Sequence, residues 1–181
     1  MRVMVNFWDD RKKIEMESIS VFNHKNIKLP EYLIGEPQKR KYIIDTSVVF
    51  KWYYKKNEED IDKAEILYDL LSSEDNILLA PELLVYEILN ILRLKDEIGS
   101  STVNHIISEI YDTLIILGMD TDLLKNAFFY SRDLRISFYD SIYIALSKRY
   151  EASLITADKK LFDSCKSLSQ KTILLSGINM I

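Results

Sequence analysis

The side chains able to do chemistry in this chain are carboxylates and hydroxyls. Histidine occurs twice, at His24 and His105, and cysteine once, at Cys165. That excludes a cysteine-rich zinc site, an intrachain disulfide and a His-Glu-x-x-His motif. The glycines Gly35, Gly99, Gly118 and Gly177 are too dispersed for a loop that cradles a nucleotide. His105 reads as a surface or capping residue, and Cys165 as a small inert hydrophobe.

Four acids stand where catalysis would want them. Asp45 closes the apolar run Tyr42-Ile43-Ile44, with Thr46-Ser47 at a strand-to-loop turn; the competing reading is a helix N-cap. Glu87 shares a helix face with Leu83, Leu84, Asn90 and Ile91. A carboxylate in that stripe needs a metal, a cation or a proton, unless it forms a structural salt bridge or its side of the helix is exposed. Asp140 opens the apolar helix Phe138-Tyr139-Asp140-Ser141-Ile142-Tyr143-Ile144-Ala145-Leu146, and Ser137 three residues before it resembles a capping box. Asp158 follows Ser153-Leu154-Ile155-Thr156 by two residues, where a helix dipole would also favour an acid.

Taken singly, each acid has an ordinary explanation. Together, at one place, their like charges would raise pKa values and strain the fold. A divalent cation removes that conflict, and an all-oxygen set favours Mg²⁺, with Mn²⁺ as substitute, over zinc.

The elements that must position these acids alternate. Strands are predicted at 42–45, 76–80, 114–117, 153–156 and 171–175. Helices are predicted at 58–73 with Asn57 as cap, from Pro81 to about 98 with Gly99 as stop, and from Ser101 to 113. Three more are predicted at 122–135, 138–150 and 157–166. Alternation of this kind predicts an α/β fold, a mostly parallel central sheet with helices on both faces. Ligands then gather beyond the carboxyl ends of the strands. Residues 1–40 read differently. A β-hairpin is predicted around Asp9-Asp10-Arg11-Lys12-Lys13, followed by a linker with Pro30, Gly35 and Pro37.

Bulk properties agree with one main domain, 41–181, plus that N-terminal extension. The chain has 181 residues, 48% of them hydrophobic and 29% charged, which suits a globular core and not a disordered chain. No signal-peptide core and no bilayer-length apolar run occurs, so a cytoplasmic protein without a membrane partner is expected.

Four segments carry a resemblance: Tyr42-Ile43-Ile44-Asp45-Thr46-Ser47-Val48-Val49, Pro81 to Asn90, Tyr139 to Leu146, and Leu154-Ile155-Thr156-Ala157-Asp158-Lys159-Lys160-Leu161. In this order they resemble the PIN domain, VapC-like toxin ribonucleases above all, over about residues 41–176. The resemblance implies a Rossmann-like three-layer PIN fold and a Mg²⁺-dependent endoribonuclease. It implies Asp45, Glu87, Asp140 and Asp158 as the catalytic and metal-holding quartet. Ser47 and Thr156 would be hydroxyls that orient the metal shell, and Asn90 a further polar support. In-line attack would leave a 5′-phosphate and a 3′-hydroxyl. An antitoxin partner, with an Arg among the carboxylates, and a homodimer follow from the same resemblance. Residues 1–40 lie outside it.

The net charge of −4 runs against RNA binding, which needs Lys and Arg, although two Mg²⁺ would cancel it. Lys51-Trp52-Tyr53-Tyr54-Lys55-Lys56 mixes cations with stacking rings. Lys51, Trp52, Lys55 and Lys56 are therefore candidate RNA contacts, against a reading of Trp52 as core and the lysines as a solvated rim. Two other functions compete with the toxin: a housekeeping RNA-processing nuclease of the same domain, and a non-catalytic regulatory or interaction module with a metal-stabilised centre.

Overall fold

A computed structural model of the chain describes residues 39–71, 73, 75–169 and 171–178. The N-terminal hairpin and most of the linker expected before Lys41 lie outside the described residues.

The strands are β1 (Arg40–Ile44), β2 (Asn76–Pro81), β3 (Ile115–Leu117), β4 (Ser153–Thr156) and β5 (Thr172–Leu174). The helices are α1 (Thr46–Tyr53), α2 (Ile61–Leu71), α3 (Leu83–Leu92), α4 (Ser100–Thr113), α5 (Thr121–Leu134), α6 (Phe138–Tyr150) and α7 (Lys159–Ser164). All strand pairs are parallel, in the order β3-β2-β1-β4-β5. The expected α/β architecture is present, and here the sheet is parallel throughout.

Successive strand residues serve opposite faces, as the period of two requires. Ile44, Leu78 and Ile155 join one core with Val48, Leu84, Ile88 and Ile110. Their neighbours Ile43, Leu79 and Leu154 join the other with Leu123, Ile142, Tyr143 and Leu146. The central strands are thus apolar on both faces, which is why they read as unbroken runs.

The strand order fixes where a site belongs. The chain proceeds outward from β1 to β2 and β3, then returns to β4 on the other side of β1. The seam between β1 and β4 is therefore the topological switch point, and in open sheets of this kind ligands bind beyond the carboxyl ends at such a point. The seam is closed by the Asp45 amide, which donates to the Ile155 carbonyl at 3.0 Å.

Some predicted boundaries moved. Thr46-Ser47 is not a loop but the start of α1. Asn57 does not cap a helix; it sits at φ 62° in a turn, with Asp60 at φ 55°, and α2 begins at Ile61. Pro81 ends β2 instead of opening a helix, and α3 stops at Leu92. Gly99 caps the start of α4 at φ −87° and ψ 167°. Among the described residues no helix is long and apolar enough to cross a membrane.

Candidate active site

Asp45 occupies the N-cap position of α1 (φ −76°, ψ 149°), yet its side chain caps no amide. Its Oδ2 instead accepts from Ser47 Oγ at 2.5 Å and from Thr156 Oγ1 at 2.6 Å. The capping reading therefore fails here, and both hydroxyls singled out in the sequence converge on this carboxylate. The same hydroxyls are themselves held: Ser47 Oγ accepts the Ala157 amide and Thr156 Oγ1 the Asp158 amide, each at 2.9 Å. The end of β4 thus fixes the orientation of the acid that ends β1.

Glu87 lies half-buried on α3. Its Oε2 accepts from Thr46 Oγ1 and from the Tyr143 hydroxyl, each at 2.7 Å. Those two hydroxyl oxygens are 2.6 Å apart. At this oxygen the partner is a pair of hydroxyls and not a cation. Asp140 stands in the first turn of α6, where Ser137 Oγ accepts its amide at 3.0 Å. Asp158 caps α7: Oδ1 accepts the amides of Lys160 at 2.6 Å and Leu161 at 3.2 Å. For Asp158 the helix-terminus reading holds, but it uses only one oxygen.

A pattern runs through these contacts. Asp45, Glu87 and Asp158 each commit one carboxylate oxygen to hydroxyls or amides. Among the described residues no hydrogen bond reaches the other oxygen of each. These oxygens are not sealed away, because the buried unpartnered side-chain atoms among the described residues are the Tyr53 and Thr172 hydroxyls. Each acid is thereby oriented by one oxygen and open through the other.

The charges interact. Asp45 is 6% exposed. Burial pushes its carboxyl up from 3.8 to about 6; the Ser47 and Thr156 hydrogen bonds oppose this, and the charges of Glu87 and Asp140 add to it. Partial burial also raises Asp140, against the hydrogen bonds of Ser137 and with the charge of Asp158. Burial holds the Tyr143 hydroxyl well above its usual range, with Asp45 and Glu87 contributing. The salt bridges among the described residues all lie elsewhere. The four acids thus form one electrically coupled group without a protein counter-charge.

Among the described residues no three Asp, Glu, His or Cys side chains are grouped so as to hold a metal ion by themselves. Magnesium does not demand such a cage. It keeps several waters and takes one or two carboxylates together with substrate phosphates. A set of hard, negatively charged, half-committed oxygens fits that ion, whereas zinc would want nitrogen or sulfur.

Other residues singled out in the sequence fall outside this group. Asn90 is exposed and its Oδ1 accepts from Arg93 Nε at 2.8 Å. Lys51 is buried against Glu58 at 2.6 Å. Lys55 pairs with Glu65, and Lys56 with Glu97 at 3.0 Å. Trp52 donates its Nε1 hydrogen to the Ala64 carbonyl at 3.0 Å and packs edge-on against Tyr68. These four candidate RNA contacts are engaged within the chain.

Two residues of the site escaped sequence reasoning, Thr46 and Tyr143. Their signal was faint: Thr46 is the neighbour of Asp45, and Tyr143 lies three residues after Asp140, one helical turn along the same side.

The comparisons with known proteins concern the family and the fold. A model of the PIN domain matches residues 42–166, and the chain belongs to that family. No curated protein matches the sequence. The fold is similar to that of Mycobacterium tuberculosis VapC20, a sarcin–ricin loop cleaving toxin, at TM-score 0.57 and 13% identity over 68% of this chain and 94% of that one. It is similar to a toxin–antitoxin complex from Klebsiella pneumoniae, at TM-score 0.57 and 12% identity over 76% and 99%. A third likeness is to VapBC2 of Rickettsia felis bound to a DNA fragment from its promoter, at TM-score 0.55 and 14% identity over 74% and 98%.

Proposed function

We propose that this chain is a Mg²⁺-dependent endoribonuclease, with Mn²⁺ as a substitute ion, and the toxin half of a toxin–antitoxin pair. What supports the reading is that Thr46, next to Asp45, and Tyr143, one turn after Asp140, both donate to Glu87, that the charges of Glu87 and Asp140 act on Asp45 and that of Asp158 on Asp140, and that no salt bridge reaches any of the four among the described residues. Membership of the PIN domain family and the likeness in fold to toxin–antitoxin proteins support it.

Asp45 and Glu87 would hold the ion through their uncommitted oxygens, with Asp140 and Asp158 completing the acidic wall. Bound there, a divalent ion supplies a water of lowered pKa and neutralises charge on the phosphate. The chain supplies the rest. Ser47 and Thr156 hold Asp45 to one rotamer, and Thr46 and Tyr143 do so for Glu87. Asp140, raised by partial burial, is suited to receive a proton from the attacking water. The antitoxin partner and a homodimer belong to the same reading.

The test is cleavage of structured and single-stranded RNA by purified protein. Activity with Mg²⁺ that disappears in EDTA and in Asp45→Asn protein supports the reading. Full activity in EDTA, or in the variant, overturns it. For the toxin role, expression should arrest growth, and co-expression of the cognate partner should relieve the arrest. Harmless expression favours a housekeeping nuclease.

A further inference from the structure

A cavity lies apart from the acidic quartet, between α1, α2 and α4. Its volume is about 570 Å³, and none of the four site acids lines it. Sites for small molecules span about 300–1,000 Å³. The walls follow from helical spacing. Glu65, Tyr68 and Asp69 share one side of α2, and His105, Ile106 and Glu109 share one side of α4. Helix α2 packs on α1, whereas α4 packs on α3 and β3, so a gap is left between the two stripes. Trp52 and Tyr53, from the last turn of α1, line the same gap.

The lining is aromatic and acidic at once. Trp52 and Tyr68 meet edge to face, with ring centroids 5.1 Å apart and planes at 76°, and the indole is fixed by its hydrogen bond to the Ala64 carbonyl. The Tyr53 hydroxyl is buried without a hydrogen-bond partner among the described residues, a loose end of the kind that a bound molecule satisfies. Burial, with the charge of Glu109 adding, holds that hydroxyl above its usual range, so it stays neutral. Three carboxylates line the cavity, and no lysine or arginine does. Lys55 offsets Glu65 from outside the lining. Asp69 and Glu109 have no ion pair among the described residues.

That chemistry selects the ligand. Anions, RNA phosphate included, are repelled by the uncompensated carboxylates. A bare metal ion has no ligand set, because no three Asp, Glu, His or Cys side chains are grouped to hold one among the described residues. A wholly apolar molecule would take water from Asp69 and Glu109 and return nothing. An organic cation satisfies both parts of the lining, since ammonium groups are attracted to carboxylates and to aromatic ring faces. The two uncompensated carboxylates stand on different helices, which suits a molecule with separate charges joined by methylene segments. We propose that this cavity is a binding site for an aliphatic polyamine, whose ammonium groups pair with Asp69 and Glu109 while its chain lies against Trp52, Tyr53 and Tyr68. The site is distinct from the acidic quartet and does not depend on the ribonuclease reading.

The experiment is isothermal titration calorimetry of spermidine into the full-length chain, with millimolar Mg²⁺ present to compete for non-specific carboxylate binding. One molecule should bind per chain. Asp69→Asn combined with Glu109→Gln should weaken binding by about tenfold, the loss expected for two partly exposed charge pairs. Asp122→Asn combined with Asp133→Asn removes the same charge from exposed positions on α5. It should leave Kd within about twofold of wild type, because salt screens distant charges. Tyr68→Leu should weaken binding by about threefold, and Tyr68→Phe, which keeps the ring, should stay within about twofold. No binding at millimolar spermidine overturns the proposal. So does equal affinity of wild type and the Asp69 and Glu109 variant, or an equal loss in the α5 variant. A blocked trilysine peptide, with the same number of ammonium groups, should bind more weakly than spermidine. Tighter binding of the peptide assigns the cavity to a protein segment and also overturns the proposal.

Discussion

Replacing Asp45 by asparagine should stabilise the metal-free protein while destroying its activity. The carboxyl is 6% exposed and its pKa stands at about 6, against an ordinary 3.8. A difference of about two units, at 1.36 kcal/mol per unit, makes ionised Asp45 cost the folded chain about 3 kcal/mol near neutral pH. Asparagine has the same shape, its Oδ1 can still accept from Ser47 and Thr156, and it carries no charge. Its own desolvation recovers part of the gain, so Asp45→Asn should be more stable by about 1–3 kcal/mol at pH 7.5 in EDTA. The pH dependence is diagnostic. Below pH 3.8 the acid is protonated in both states and wild type carries no penalty. Between 3.8 and 6 the folded state binds more protons than the unfolded one, so wild-type stability falls as pH rises, and above 6 the penalty is fully developed. The gap between variant and wild type should therefore open across that window and stay constant above it. Urea denaturation at several pH values measures it. Added Mg²⁺ should then stabilise wild type by mass action and the variant much less. A variant less stable than wild type at pH 7.5, with a gap that ignores pH, would refute the reasoning.

Two further outcomes follow from the same contacts. Tyr143→Phe removes one of the two hydroxyls that orient Glu87 and leaves Thr46 in place; it should lower stability by about 1–3 kcal/mol, the usual worth of a buried hydrogen bond to a charged group, and reduce kcat more than KM, as read by urea titration and steady-state cleavage. The triple change Lys51→Met, Lys55→Ala and Lys56→Ala should leave RNA affinity within about twofold of wild type, because these cations are already held by Glu58, Glu65 and Glu97; a large loss in an electrophoretic mobility assay would return the RNA path to the end of α1.

The fold was legible where local and global signals agreed. The strand β4 was predicted at its observed bounds because Ser153-Leu154-Ile155-Thr156 is a short β-prone run buried on both faces. The helix α6 was predicted at Phe138–Tyr150 because Ser137 caps it and apolar residues follow. The helix α1 was missed. Its sequence, TSVVFKWY, is β-branched and aromatic, with low helix propensity, and it is helical because Val48, Val49 and Phe50 must pack on the sheet. Gly99 was read as the end of one helix when it starts another, since glycine serves both termini.

The site was legible to the same depth. Acids at strand ends announce themselves through topology, so Asp45 and Asp158 could be placed from position alone. The side chains that orient an acid do not. Thr46 and Glu87 are 41 residues apart, and Tyr143 and Glu87 are 56 apart, so their contacts depend on packing that no local pattern encodes. The glutamates that pair with the lysines after Asp45 were hidden for a related reason: a basic cluster in sequence says nothing of the acids that fold back upon it.

The most direct test of the central claim is diffraction from crystals soaked in Mn²⁺, with data collected for its anomalous signal. The account predicts an ion beyond the β1–β4 seam that touches Asp45 and at least one of Glu87, Asp140 and Asp158. An ion bound away from Asp45, or none at millimolar Mn²⁺, would contradict it.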